Sequence, residues 1–195
     1  MNILDWKKRL WLRSDETTQL VHLTRPRNKH GASYWLWKIL TDKKLKAFDS
    51  IGICPGHKCV CFQEVPIACI AEVLLAETLI DPGSKRYSGY GIRIPKRTIF
   101  ELGGRQVVYS LNKKDVDNPW RYSHETFRTK NNVIDWSHER EWRIPNDVDF
   151  NYTDIDVILP SVEARMNFIK KALSENRLDI LTDVRSIIIL EELFN

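Results

Sequence analysis

Short apolar runs punctuated by proline, glycine and asparagine set the rhythm of this chain. Leu20-Val21-His22-Leu23-Thr24 reads as a first strand, closed by Arg25-Pro26-Arg27-Asn28. From Tyr34 to Leu45, Leu36, Ile39 and Leu40 recur at helical spacing. Val60-Cys61-Phe62-Gln63-Glu64 is a second strand, and Pro66 suits the first turn of a helix running through Ile67, Ile70, Val73, Leu74 and Leu79. Tyr90-Gly91-Ile92-Arg93-Ile94 alternates as a half-buried strand does and stops at Pro95. Lys96 to Leu102 predicts a helical turn ending at Gly103-Gly104, and Gln106-Val107-Val108-Tyr109 a further strand.

Asn112 to Asn132 is polar and weakly periodic, which predicts a long surface loop with a helical turn. Trp142-Arg143-Ile144 and Asp156-Val157-Ile158-Leu159 follow as strands. Ser161 can cap a helix in which Val162, Met166, Ile169 and Leu173 form an apolar stripe, the kind that faces a core. Ser186-Ile187-Ile188-Ile189-Leu190 predicts a fully buried last strand. Strands and helices mix without regular βαβ alternation, which favours an α+β fold over a doubly wound sheet.

With 195 residues, 43% apolar and 29% charged, the chain has the size and composition of one globular domain over 1–195. Its net charge of +4 permits nucleic acid as a partner without requiring it. Seven tryptophans are many. Trp6, Trp11, Trp35 and Trp37 fall early, and beyond packing such rings can stack on a base or nicotinamide. No run approaches the roughly 18 to 20 apolar residues of a membrane span. The opening residues lack a signal-peptide core, so the expectation is a cytoplasmic protein with reduced cysteines and no membrane partner.

The densest chemistry lies in Trp136-Ser137-His138-Glu139-Arg140-Glu141-Trp142-Arg143-Ile144-Pro145. In extended backbone Glu139 and Glu141 project from one face, where paired carboxylates can orient a sugar hydroxyl or a metal ion. The bland alternative is a charged strand edge whose tryptophans pack in the core. Cys54, His57, Cys59 and Cys61 offer four zinc-type ligands, but their spacing is poor for a structural site and core thiols explain them better. His22 and Thr24 share one strand face, and Tyr87-Ser88-Gly89-Tyr90-Gly91 places small residues and two rings at the start of another strand. No GxxxxGK[ST], GxGxxG or HExxH motif is present.

Four segments then occur in order over roughly the first three quarters of the chain: Val21-His22-Leu23-Thr24, Cys61-Phe62-Gln63-Glu64-Val65-Pro66, Tyr90-Gly91-Ile92 and Glu139-Arg140-Glu141-Trp142-Arg143-Ile144. The set resembles the AbiGi-type abortive-infection proteins of bacterial phage defence, and is more distantly similar to the DarT-like branch of the ADP-ribosyltransferases. The resemblance implies a mixed, mostly antiparallel split β-core flanked by helices, with an NAD cleft between two small sheets. It implies that His22 holds a ribose of NAD with Thr24 beside it, that Tyr90 stacks on nicotinamide, and that Ser88 supports the following strand. Glu141 would be the catalytic carboxylate of an ADP-ribosyltransferase or NAD glycohydrolase, and Glu139 the acceptor-side residue. Arg25 and Arg27 are the candidates for an NAD-binding arginine. The acceptor would be nucleic acid or protein. The setting would be an anti-phage or toxin–antitoxin system, with the product of a neighbouring gene as a further partner.

Two other classes compete. A metal-dependent nuclease would use Asp135, Glu139 and Glu141 on Mg²⁺, with Arg140 or Arg143 on phosphate. A catalytically inactive, antitoxin-like partner would bind without turnover.

Overall fold

A computed structural model describes residues 16–49, 58–80, 88–110, 123–126, 137 and 140–194. Its centre is a seven-stranded, mostly antiparallel sheet in the order β11-β10-β4-β1-β3-β8-β5. The strands are β1 (Gln19–Leu23), β3 (Val60–Gln63), β4 (Gly91–Pro95), β5 (Arg105–Gln106), β8 (Glu141–Ile144), β10 (Asp156–Leu159) and β11 (Ser186–Ile189). Two short pairs complete the β-structure: β2 (Lys44–Leu45) with β9 (Val148–Asp149), and β6 (Val108–Ser110) parallel to β7 (His124–Thr126). The helices are α1 (Ala32–Asp42), α2 (Ile67–Ile80), α3 (Lys96–Glu101), α4 (Val162–Ser174) and α5 (Asp179–Thr182). This is the α+β mixture that the patterning favours, with a mostly antiparallel sheet.

Strand register sorts the side chains onto two faces. Leu20, His22, Ile92, Ile94, Val157, Phe62 and Trp142 share one face, since Leu20 pairs Ile94, His22 and Val157 both pair Ile92, and Phe62 pairs Trp142. That face carries the larger core, closed by Leu36, Trp37 and Leu40 of α1 and by Ala164, Phe168 and Ala172 of α4. The opposite face carries Val21 and Ile158, covered by Ile70 and Ala71 of α2 and by Leu190. One row on this second face runs across five strands as Asp156, Arg93, Val21, Gln63 and Glu141.

Local chemistry explains several boundaries. Ser161 caps α4 as its sequence predicts, accepting a bond from the Ala164 N–H at 3.2 Å. α1 ends sooner than its apolar spacing suggests, because Lys43 turns left-handed (φ 49°) and Lys44–Leu45 leave to pair with β9. The predicted strand over Gln106–Tyr109 is two strands, broken where the Val107 N–H donates to the Glu141 carbonyl at 2.7 Å.

Three expectations are corrected. α4 buries Ala164, Phe168 and Ala172, and the stripe read as core-facing points outward, with Met166 45% and Leu173 59% exposed. The small residues let the helix lie close to the sheet around Phe168, whose ring meets Trp37 edge-on at 5.5 Å. β11 is not fully buried: it lies at the sheet edge, with Ser186 exposed and Ile187 and Ile188 half-buried. Finally, the strands that flank the expected cleft belong to one seven-stranded sheet rather than to two small ones.

Candidate functional site

The central join of this sheet is slight. β1 pairs β4 over five residues, but pairs β3 only at Val21–Gln63. Beyond that rung the strands diverge, and a cavity of about 480 Å³ opens between them. This lies within the size range of ordinary small-molecule sites. Its walls come from β1 and the Arg25-Pro26-Arg27 turn, from Trp35 and Ile39 of α1, from Phe48 and Asp49, from β3, and from Glu141 at the start of β8.

His22 stands where the pairing has stopped. Its Nδ1 lies 2.8 Å from the Cys61 carbonyl oxygen, so the imidazole spans the gap between β1 and β3. A carbonyl can only accept, which assigns the proton to Nδ1 and leaves Nε2 as an acceptor. Burial depresses the His22 pKa; the bond to Cys61 opposes this, while the charges of Arg27 and Arg25 reinforce it. The ring is therefore neutral near pH 7. Phe62 meets it edge-on at 5.8 Å.

Arg27 is held between two rings, its guanidinium carbon 4.3 Å from the Trp35 centroid and 5.1 Å from that of Phe48. The tight turn from Arg27 to His30 sets this arm, with Asn28 and Lys29 at φ 50° and 65° and the two end residues bonded in both directions. Trp35 Nε1 donates back to the Arg27 carbonyl at 3.3 Å. The cavity thus combines two arginines, the rings of Trp35, Phe48 and Phe62, and a neutral imidazole.

Glu141 enters from the opposite sheet face, reaching the same cavity because β1 and β3 have parted. Both its oxygens accept from Arg143, at 3.0 Å from Nε and 2.8 Å from Nη2. The neighbouring Cys61 thiol is pushed well above its ordinary pKa by its contact with Cys59, by burial and by the Glu141 charge, so it is no thiolate nucleophile at neutral pH. Arg140 precedes Glu141 in the left-handed region (φ 43°), and its carbonyl accepts from the Glu64 N–H at 3.1 Å. Glu64 is itself buried and takes the Trp142 indole and Lys96 ammonium, each at 2.6 Å. This knot fixes the entry to β8 and the direction of Glu141.

The remaining sequence-predicted residues sort differently. Thr24 lines the cavity, but its hydroxyl is within bonding distance of the Ala32 and Tyr90 carbonyls, at 2.9 and 3.0 Å, and ties β1 to α1 and β4. Ser88 reaches the Thr24 carbonyl only at 3.5 Å, a weak contact. Tyr90 is corrected: it does not line the cavity, and its ring packs against the larger core. Burial, then the charge of Glu163, raises its pKa. Gly91 likewise admits no flat ligand ring; a Cβ there would run into the His22 carbonyl oxygen, so glycine is needed for β1 to approach β4. Glu139, Asp135, Cys54 and His57 lie outside the described residues. Cys59 and Cys61 face each other at 3.8 Å, and among the described residues no three metal-ligating side chains form a group.

Sequence reasoning named His22, Thr24, Arg25, Arg27 and Glu141 but missed Phe48 and the role of Glu64. Trp35 was legible only as an early tryptophan able to stack. Phe48 carries no signal, because the isolated bridge that places it, to Cys59, joins two segments without strand patterning.

No protein-family model, curated protein or solved structure matches the chain. Among the described residues, no helix is long and apolar enough to cross a membrane.

Proposed function

We propose that the protein is an NAD-consuming, ADP-ribosyltransferase-like effector of a bacterial anti-phage or toxin–antitoxin system, with the β1–β3 cavity as its NAD site. One observation supports this reading: of His22, Tyr90 and Glu141, the three residues expected to share a pocket, His22 and Glu141 line a single cavity from different strands and opposite faces, and Tyr90 does not. The defence setting rests on the sequence resemblance. Arg25 and Arg27 supply positive charge for a pyrophosphate, Trp35 and Phe48 a flat apolar surface, and His22 Nε2 an acceptor for a ribose hydroxyl.

In this reading Glu141 is the catalytic carboxylate. It accepts the nicotinamide-ribose 2′-hydroxyl through lone pairs left free by Arg143, and it stabilises positive charge as the N-glycosidic bond breaks. Nicotinamide leaves with the bonding electron pair as a neutral base. The acceptor, or water, then bonds to the anomeric carbon and loses its proton. Tyr90 has no part in this scheme.

A second reading is favoured by the Glu141–Arg143 pair, which counters the carboxylate charge with a side chain only 5% exposed. Such a site would bind NAD without cleaving it, as an inactive antitoxin-like partner would. Mass spectrometry of NAD with nucleic acid and cell extract as acceptors, beside calorimetric titration with NAD, decides between them. Release of nicotinamide that disappears in Glu141→Gln supports the transferase. Binding without release supports the inactive partner, and the absence of both refutes the NAD site.

A further inference from the structure

We infer that α4 is a dimerisation helix, pairing antiparallel with α4 of a second copy of this chain. The helix turns Ala164, Phe168 and Ala172 to the sheet, leaving Val162, Met166, Ile169 and Leu173 on its outer side. Three of these are exposed, Val162 at 38% beside the two already given. Their spacing of four, three and four residues is that of the two apolar positions of a heptad, the pattern by which one helix seats another.

The pattern is self-complementary in the antiparallel sense. Val162 would meet Leu173 of the second copy, and Met166 would meet Ile169, each contact occurring twice about a two-fold axis. The flanking charges choose the same orientation. Antiparallel pairing sets the exposed Glu163 beside the exposed Lys170 of the second copy, twice about the two-fold axis. Parallel pairing would form neither of these ion pairs. A second copy in the antiparallel register is thus the occupant that the apolar and charged positions jointly fit.

Four apolar layers are too few for free peptides to pair, because the helix itself would have to form. Here Ser161 and the sheet already hold α4, and association orders only side chains. The contact is smaller than the roughly 1,000 Å² of a stable interface, so dissociation constants on the order of 100 µM are expected.

Sedimentation of the full chain from about 10 µM to about 1 mM tests this. A reversible monomer–dimer equilibrium is expected, weakened more than about tenfold by Met166→Asp at unchanged circular dichroism. Lys170→Glu should weaken the dimer by roughly three- to tenfold, and adding Glu163→Lys should restore it. A monomer throughout, or a dimer indifferent to Met166→Asp, overturns the proposal. A dimer indifferent to Lys170→Glu, or tightened by it, overturns the antiparallel orientation, because that orientation alone pairs Lys170 with Glu163.

Discussion

Replacing Asp156 by asparagine tests how the left half of the sheet is held. The carboxylate is 1% exposed on β10. It accepts from Arg185 Nε and Ser186 Oγ at 2.7 and 2.8 Å, and from Arg185 Nη2 and Arg93 Nε at 2.6 Å each. Those donors stand on β4 and on or beside β11, so one group joins three neighbouring strands. An amide of the same shape removes the charge and turns one acceptor into a donor facing guanidinium N–H groups. Breaking a buried ion pair on one side costs about 3–5 kcal/mol. Arg93 and Arg185 remain partly in water, which places the expected loss near the lower end of that range. That is a large share of the roughly 5–15 kcal/mol that holds a domain together.

Urea unfolding followed by tryptophan fluorescence measures it, with a lower midpoint and unchanged slope expected. The pH dependence supplies a second reading. Burial pushes the Asp156 pKa up, but the bonds from Arg185, Ser186 and Arg93 outweigh this and leave it below the ordinary value. A depressed folded-state pKa gives stability that is present above the unfolded-state pKa of about 3.9 and is lost as pH falls through the folded value. The gap between wild type and Asp156→Asn should therefore be widest near neutrality and shrink below about pH 4. A loss under about 1 kcal/mol at pH 7, or a gap that widens in acid, would refute the role assigned to this group.

Two further outcomes follow from the centre of the sheet. Gly91→Ala should lower the melting temperature by about 5 °C or more, the strain of a Cβ driven into the His22 carbonyl, and an unchanged transition by calorimetry would contradict the close approach. His22→Gln should flatten the stability profile on the acid side of pH 6.5: the depressed pKa of His22 means that wild type loses stability as pH falls below the unfolded-state value, and glutamine has no proton to gain. Equal acid slopes in the two proteins would show that His22 is not buried as a neutral ring.

Much of the fold was legible because a strand such as Val60–Glu64 carries its burial in its own alternation. The α4 stripe shows the limit. Val162, Met166, Ile169 and Leu173 satisfy helical periodicity better than Ala164, Phe168 and Ala172, yet the latter set is buried because small residues permit a closer approach to the sheet. Periodicity finds a helix face, while packing distance selects which face goes inside. The site was half legible for a related reason. His22 and Glu141 stand out as chemical types, but their meeting depends on where two strands stop pairing, which neither strand encodes alone. Tyr90 shares the face of His22, but its ring packs against the larger core and not into the cavity.

The single rung between β1 and β3 divides the sheet mechanically into a four-stranded and a three-stranded plate. At that seam one residue pair and one imidazole supply what a full ladder supplies elsewhere. A molecule seated in the gap touches both plates and acts as a third fastening across the seam. Its binding free energy adds directly to the cohesion of the domain, about 2.7 kcal/mol at a hundredfold excess over its dissociation constant. Hydrogen exchange across the seam then becomes an assay for whatever molecule the gap accepts.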